Sequence, residues 1–291
     1  MKALKGKVAV VAGGTRGAGR GIAEMLGEAG ATVYVTGRST IGNLSDMGRQ
    51  ETIEETAELV TAHGGVGIAV RVDHTVEADV KALFEQVHSE QNGVLDILVN
   101  DIWGGEQLTE WGKPFWEHSL NKGLQMQIPA VHAHMVTSYY AAPLMVARNK
   151  GLIIEITDGF DYRYRGNLYY SLAKISAIHL AQSMAAELRE HRVAAVSLTP
   201  GFLRSEAMLD YFGVTEANWR DAAKTDPHFL ISETPYYVGR AVAALAADSN
   251  VLEKSGQILT SWELSDIYGF MDRDGSRPHW GRYAEEQGFY K

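Results

Sequence analysis

Cysteine is absent from the 291 residues. Disulfides, thiolate metal sites and a cysteine nucleophile are thereby excluded, and a reducing, cytoplasmic location is the expectation. Long apolar runs are missing as well: nowhere do roughly 18 apolar residues follow one another, so neither a transmembrane helix nor a membrane partner is expected. The opening "MKALKGKVAVVAGG" has two lysines before an apolar run of only about five residues that enters a glycine turn, which reads as a first strand and not as a signal peptide. Positive charge is in deficit, 27 Lys and Arg against 36 Asp and Glu, for a net charge of -9. Such a surface repels phosphate polymers and anionic membranes, and nucleic acid is not an expected partner.

What is present is ordinary globular composition, 45% hydrophobic and 22% charged, with no repeat, low-complexity tract or Pro/Gly/Ser linker. One domain over 1–291 is expected. Short β-branched runs at 8–12, 32–36, 66–72, 96–100, 152–157, 193–199 and 257–261 read as strands. They alternate with helical patterns at 17–29, 50–63, 76–91, 130–148, 169–190 and 235–247. That alternation predicts an α/β fold, a doubly wound parallel sheet with helices on both faces and right-handed crossovers. Two stretches fall outside it. Residues 202–233, with Tyr211, Phe212, Trp219 and Phe229, read as a substrate lid inserted after a strand end. Residues 262–291 form a C-terminal extension carrying Trp262, Tyr268, Phe270, Trp280, Tyr283, Phe289 and Tyr290, expected to pack on the body or on another subunit.

The first strand runs into "AGGTRGAGRGIAEML", with Gly13, Gly17 and Gly19 spaced Gly-x-x-x-Gly-x-Gly and Thr15 and Arg16 between them. Glycines allow a tight turn and close backbone approach, and the helix from Gly17 aims free N–H groups at a pyrophosphate. The second strand ends in "VTGRST" where an NAD binder usually carries an acid for the ribose 2′-hydroxyl. Arg38, together with Arg16, Ser39 and Thr40, instead suits a 2′-phosphate, so NADP(H) is the expected cofactor. Asp73, at the third strand end, can accept from the adenine amino group or cap a helix.

Tyr170 and Lys174 of "YYSLAK" lie four apart and share a helix face. An ammonium beside a phenol lowers the phenol's pKa, which suits proton transfer to or from an alcohol oxygen.

Taken together, "AGGTRGAG", "DILVN", "YYSLAK" and "TPG", in this order, resemble the short-chain dehydrogenase/reductase superfamily over at least residues 5–262. More closely, "GRGIAEMLGEAGATVYVTGR", "PFWE", "PLM", "ELREHRVAAVSLTPGFLRSEAML" and "YGFMDRDGSRP" resemble the branch represented in animals by dehydrogenase/reductase SDR family member 1 and its bacterial relatives. The resemblance implies a seven-stranded Rossmann fold, NADP(H), and oxidoreduction of a carbonyl or alcohol. By that resemblance Tyr170 is the acid/base, Lys174 binds the nicotinamide ribose, and Pro200 and Gly201 flank the nicotinamide.

The departures from the family pattern bear on the chemistry. After the fourth strand the chain reads "NDIW", so Asn100 matches the usual Asn-Asn-Ala-Gly and the next three residues do not. The usual relay asparagine falls near Ala130, and Asn121 lies too far upstream to replace it. The usual serine pair is Thr157 and Asp158. Three roles are open to Asp158. Protonated, it donates to the substrate oxygen; ionised, it favours a cationic substrate such as an iminium; turned away onto the "DGFD" backbone, it leaves Thr157 or a water as donor.

His132 and His134 fall on different helix faces, which argues against a metal between them. Trp103, Trp111, Phe115, Trp116 and His118, with the aromatics of 202–233, suggest a roofed pocket for an apolar, ring-containing small molecule. Helices 130–148 and 169–190 suit a homodimer or homotetramer interface. The expected function is NADPH-dependent oxidoreduction of a carbonyl or alcohol. Imine reduction and non-catalytic NADP(H) sensing are the alternatives.

Overall fold

The computed structural model describes residues 2–45 and 48–289. Tyr290, one of the aromatics of the C-terminal extension, lies outside the described residues. Seven strands form one parallel sheet: β1 (Val8–Ala12), β2 (Thr32–Gly37), β3 (Val66–Arg71), β4 (Ile97–Asn100), β5 (Gly151–Ile156), β6 (Val193–Thr199) and β7 (Ile258–Thr260). Their order is β3-β2-β1-β4-β5-β6-β7. Every neighbouring pair is parallel. The order reverses between β1 and β4, and the crevice at their carboxyl ends is where a doubly wound sheet takes a ligand.

The helices are α1 (Gly17–Glu28), α2 (Ile53–Ala62), α3 (Glu77–Glu90), α4 (Leu120–Gln127), α5 (Ala133–Val146), α6 (Leu168–Leu188), α7 (Glu206–Phe212), α8 (Pro235–Ala247), α9 (Ser261–Tyr268) and α10 (Trp280–Glu286). The pleat explains their two layers. On β1, Ala9 and Val11 face a core shared with Ile22 and Leu26 of α1, Val60 of α2 and Val238 of α8. Val8 and Val10 face the opposite core, with Leu83 of α3, Met145 of α5 and Ala185 of α6. Period-two alternation thus persists on strands buried on both faces.

The helical pattern at 130–148 begins in a π turn at Ile128–His132, with Pro129 inside it, before α5 proper. Residues 202–233 hold α7 and two short 3₁₀ turns. Their aromatics pack chiefly on one another: Phe229 is fully buried, and Phe202, Phe212 and Trp219 surround it. The segment after β7 returns to the body, where Arg273 pairs with the buried Glu24 of α1 at 3.2 Å and stacks on Tyr236. Among the described residues no helix is long and apolar enough to cross a membrane.

Candidate active site

A cleft of about 1180 Å³ opens at the carboxyl ends of the strands, lined from the glycine turn at one end to Asp158, Lys174, Pro200 and Gly201 at the other. Gly13 has φ +90° and Gly17 φ +58°, conformations that favour glycine. A Cβ on Gly13 would come within 2.3 Å of the Asp101 carbonyl oxygen, so the turn presses against the loop after β4. The Gly17 N–H donates to the Glu206 carboxylate at 2.9 Å, direct evidence that this helix start attracts an anion. Thr15, Arg16, Arg38 and Ser39 line the same end.

Asp73 also lines this end, but it does not cap a helix. The residue before α3 is Val76, and Asp73 instead accepts from the Thr75 N–H at 3.0 Å and the Thr75 hydroxyl at 2.6 Å. Burial pushes its carboxyl up, but those bonds and the nearby Arg38 charge outweigh that and hold it below its ordinary value. The donors, the glycine cradle and the cations at this end fit a dinucleotide phosphate.

At the other end Tyr170 stands in the first turn of α6. Asn167 caps that helix, its side-chain oxygen accepting from the Tyr170 N–H at 3.0 Å while its amide donates to the Glu110 carbonyl at 2.8 Å. The Tyr170 hydroxyl donates to Asp158 Oδ2 at 2.6 Å. Its ring meets Trp103 and Trp111 edge-on, with centroids at 5.6 and 5.2 Å.

One expectation is overturned here. Lys174 Nζ lies over the Trp103 ring at 3.9 Å and 5.6 Å from the Tyr170 ring centroid, and the charge that bears most on the phenol is that of Asp158. Burial first, and the Asp158 charge second, push the phenol well above its ordinary value, so it is held protonated and not acidified. The Lys174 ammonium is itself lowered by burial, against the pull of Asp158, Asp101 and Glu106.

The sequence model of the family described as short chain dehydrogenase matches residues 7–212. The chain belongs to the short chain dehydrogenases. It is 39% identical over 276 residues to the mouse protein named dehydrogenase/reductase SDR family member 1, covering 94% of this chain and 85% of that one. A short chain dehydrogenase structure from Mycobacterium thermoresistibile superposes with a TM-score of 0.78 at 22% identity, covering 96% of this chain and 92% of that one. A structure from Beutenbergia cavernae, a candidate NAD(P) dependent gluconate 5-dehydrogenase with bound NADP at low occupancy, superposes with a TM-score of 0.69 at 25% identity, covering 89% of this chain and 96% of that one.

Against that family background, three further expectations for this short chain dehydrogenase need correction. Asp158 does not turn onto the "DGFD" backbone; its carboxylate faces Tyr170. The Gly159 N–H beside it donates to the Thr199 hydroxyl at 2.9 Å, which pins the loop to the end of β6. Thr157 is no oxyanion donor, because it is buried and its hydroxyl donates to the Lys174 carbonyl at 2.6 Å. Asn100 does not line the cleft. Its amide donates to Glu155 at 2.7 Å and Ser138 at 2.9 Å within the core.

That core network contains a residue sequence reasoning set aside. His134 is buried with Nδ1 at 2.5 Å from Glu155 Oε2 and Nε2 at 2.9 Å from the Ile102 carbonyl. Burial lowers the imidazole, but Glu155 more than compensates and raises it, and oxygens face both ring nitrogens. It thereby anchors the turn that carries Trp103. Asp101 was also passed over: its half-buried carboxyl, on the cleft lining, is pushed up to about 7 by desolvation, opposed by Lys174 and the Gly19 N–H.

The aromatic roof is only partly as expected. Trp103 lines the cleft and Trp111, though exposed, meets the Tyr170 ring edge-on, whereas Phe115 and Trp116 are exposed away from it and His118 is buried against Asn167. The C-terminal segment supplies what the roof does not: Trp262, Trp280 and Phe289 line the cleft with Phe160 and Phe202.

Proposed function

We propose that this short chain dehydrogenase uses NADP(H) to reduce a carbonyl, or oxidise the corresponding alcohol, of an apolar, ring-containing small molecule. The observation that carries the reading is the Tyr170 hydroxyl, bonded at 2.6 Å to Asp158 of the cleft lining and one helical turn from Lys174, in a cleft whose far end is lined by Arg16 and Arg38. Bound NADPH supplies a hydride from its nicotinamide ring. Arg38, with Arg16 and Ser39, would hold the 2′-phosphate, Gly13, Gly17 and Gly19 the pyrophosphate, and Asp73 the adenine. Tyr170 would give its proton to the substrate oxygen, and its raised pKa keeps that proton in place over neutral pH, the form reduction needs. Lys174 would hold the nicotinamide ribose and offset the charge left on the phenol.

The aromatic wall of Phe160, Phe202, Trp262 and Trp280 supports a ring-containing substrate. Residues 202–233 would act as its lid. Exposed Met135, Tyr139 and Leu172 on α5 and α6 support a homodimer or homotetramer.

The contact between Asp158 and Tyr170 favours one second reading. A carboxylate beside the proton donor opposes a developing oxyanion but stabilises a cation, which suits an iminium substrate. Matched ketones and cyclic imines, assayed by NADPH oxidation, separate the two. Tyr170→Phe is expected to lose about 10²–10⁴-fold on the preferred compound, and an undiminished rate defeats the mechanism. Loss of imine reduction alone in Asp158→Ser identifies the second reading. Tight NADPH binding without turnover across a broad panel would mark a sensing protein instead.

A further inference from the structure

Gly201 sits just past β6 on the cleft wall, and its N–H donates to Glu233 Oε2 at 2.9 Å. The Ser261 hydroxyl, at the start of α9, donates to the same oxygen at 2.6 Å. Glu233 is 1% exposed, and its other oxygen, Oε1, is buried without a hydrogen-bond partner. Among the described residues no cationic side chain forms an ion pair with it. A Cβ on Gly201 would come within 3.0 Å of Oε2 and 2.9 Å of Trp280 Cβ, so nothing separates the turn from the carboxyl.

The backbone of the same residue closes the base of the 202–233 segment. The Glu233 N–H donates to the Phe202 carbonyl at 2.9 Å, and the Glu233 carbonyl accepts from the Arg204 N–H at 2.7 Å. The next residue is held in turn: the Thr234 N–H and hydroxyl donate to the two oxygens of Asp272 at 2.8 and 2.5 Å. Glu233 therefore ties together the outgoing segment at Phe202 and Arg204, the cleft-wall turn at Gly201 and the start of α9 at Ser261.

We propose that Glu233, acting as a neutral carboxyl, is a positioning residue that holds the Gly201 turn at the cleft wall and clamps the base of the 202–233 segment. This rests on the reading of Gly201 as a neighbour of the nicotinamide. A buried carboxylate with two donors on one oxygen and none on the other would carry an uncompensated charge, and the nearby Asp272 would add to its cost. Burial, opposed only by Ser261 and the Gly201 N–H, pushes the group up to about 8. A neutral carboxyl has the shape of a carboxamide, so glutamine can take its place where alanine cannot. Displacing a cleft-wall turn by about 1 Å costs on the order of 10²-fold in rate when the turn orients a reactant.

The test uses the full chain and NADPH as the probe. NADPH affinity is measured by fluorescence, and kcat and KM on a substrate that turns over, for the unaltered protein, Glu233→Gln, Glu233→Ala and Ser261→Ala, with thermal unfolding as the check on folding. Glu233→Ala is expected to weaken NADPH binding and lower kcat by roughly 10-fold or more, while Glu233→Gln stays within about 3-fold of the unaltered protein at neutral pH. An alanine variant that folds and matches the unaltered protein overturns the proposal, as does a glutamine variant as damaged as the alanine one. If Glu233→Ala does not fold, Ser261→Ala decides: weaker NADPH binding supports the proposal, and unchanged binding and kinetics overturn it. Absence of NADPH binding in the unaltered protein overturns the nucleotide reading and this inference together; binding with variants indistinguishable from it overturns the inference alone.

Discussion

Arg38 stands exposed at the mouth of the cleft, close enough to Asp73 for its charge to help hold that carboxyl ionised. If the guanidinium is also the partner of a 2′-phosphate, Arg38→Asp should reverse the cofactor preference. The expected loss in kcat/KM with NADPH is roughly 10- to 100-fold, the worth of one charge-assisted hydrogen bond, with little loss on NADH. Equal losses on both cofactors would refute it. The identity of such residues was legible because each sits at a strand end or one helical turn from a partner. Their mutual orientation was not. Whether Asp158 faced Tyr170 or the backbone depended on the path of residues 157–167, a loop with no period to read, tied down by Gly159 on Thr199 and Asn167 on Glu110. The same ignorance of distance made Lys174 look like the acidifying neighbour of Tyr170, when Trp103 takes its ammonium.

Among the elements, the strands and long helices were readable because each buries a continuous stripe, and their bounds fall within three residues of the expected ones, the π turn before α5 aside. The short helices α4, α7, α9 and α10 were missed, since seven or eight residues carry too few turns to show a stripe. The 202–233 segment has a small core of its own, closed around Phe229 and braced by Arg204 over Trp219 at 3.9 Å. Phe229→Ala should therefore cost about 3–5 kcal/mol, spent first in this segment. Hydrogen exchange is expected to show faster exchange over 202–233 with β1, β4 and β5 unchanged. Uniform loss of protection across the sheet would show that the segment does not open on its own.

For the whole molecule, two desolvated acids, half-buried Asp101 and buried Glu233, set a pH dependence. Burial pushes Asp101 to about 7 and Glu233 to about 8 from ordinary values of 3.8 and 4.5. The unfolded chain therefore releases these protons first. Their contribution to stability is complete below the ordinary values and is lost as pH rises through the folded ones. Between about pH 5 and 9 the thermal midpoint should fall, and the fall should be shallower in an Asp101→Asn, Glu233→Gln double variant. An identical slope in both proteins would exclude these two groups as its source. One last consequence concerns how such a cleft is made during synthesis. Its lining is drawn from Gly13 through Phe289, so a nascent chain can complete all seven strands while still lacking the indole of Trp280. Ribosome-held fragments halted after β7 but before α10 should therefore fold without presenting a finished binding surface.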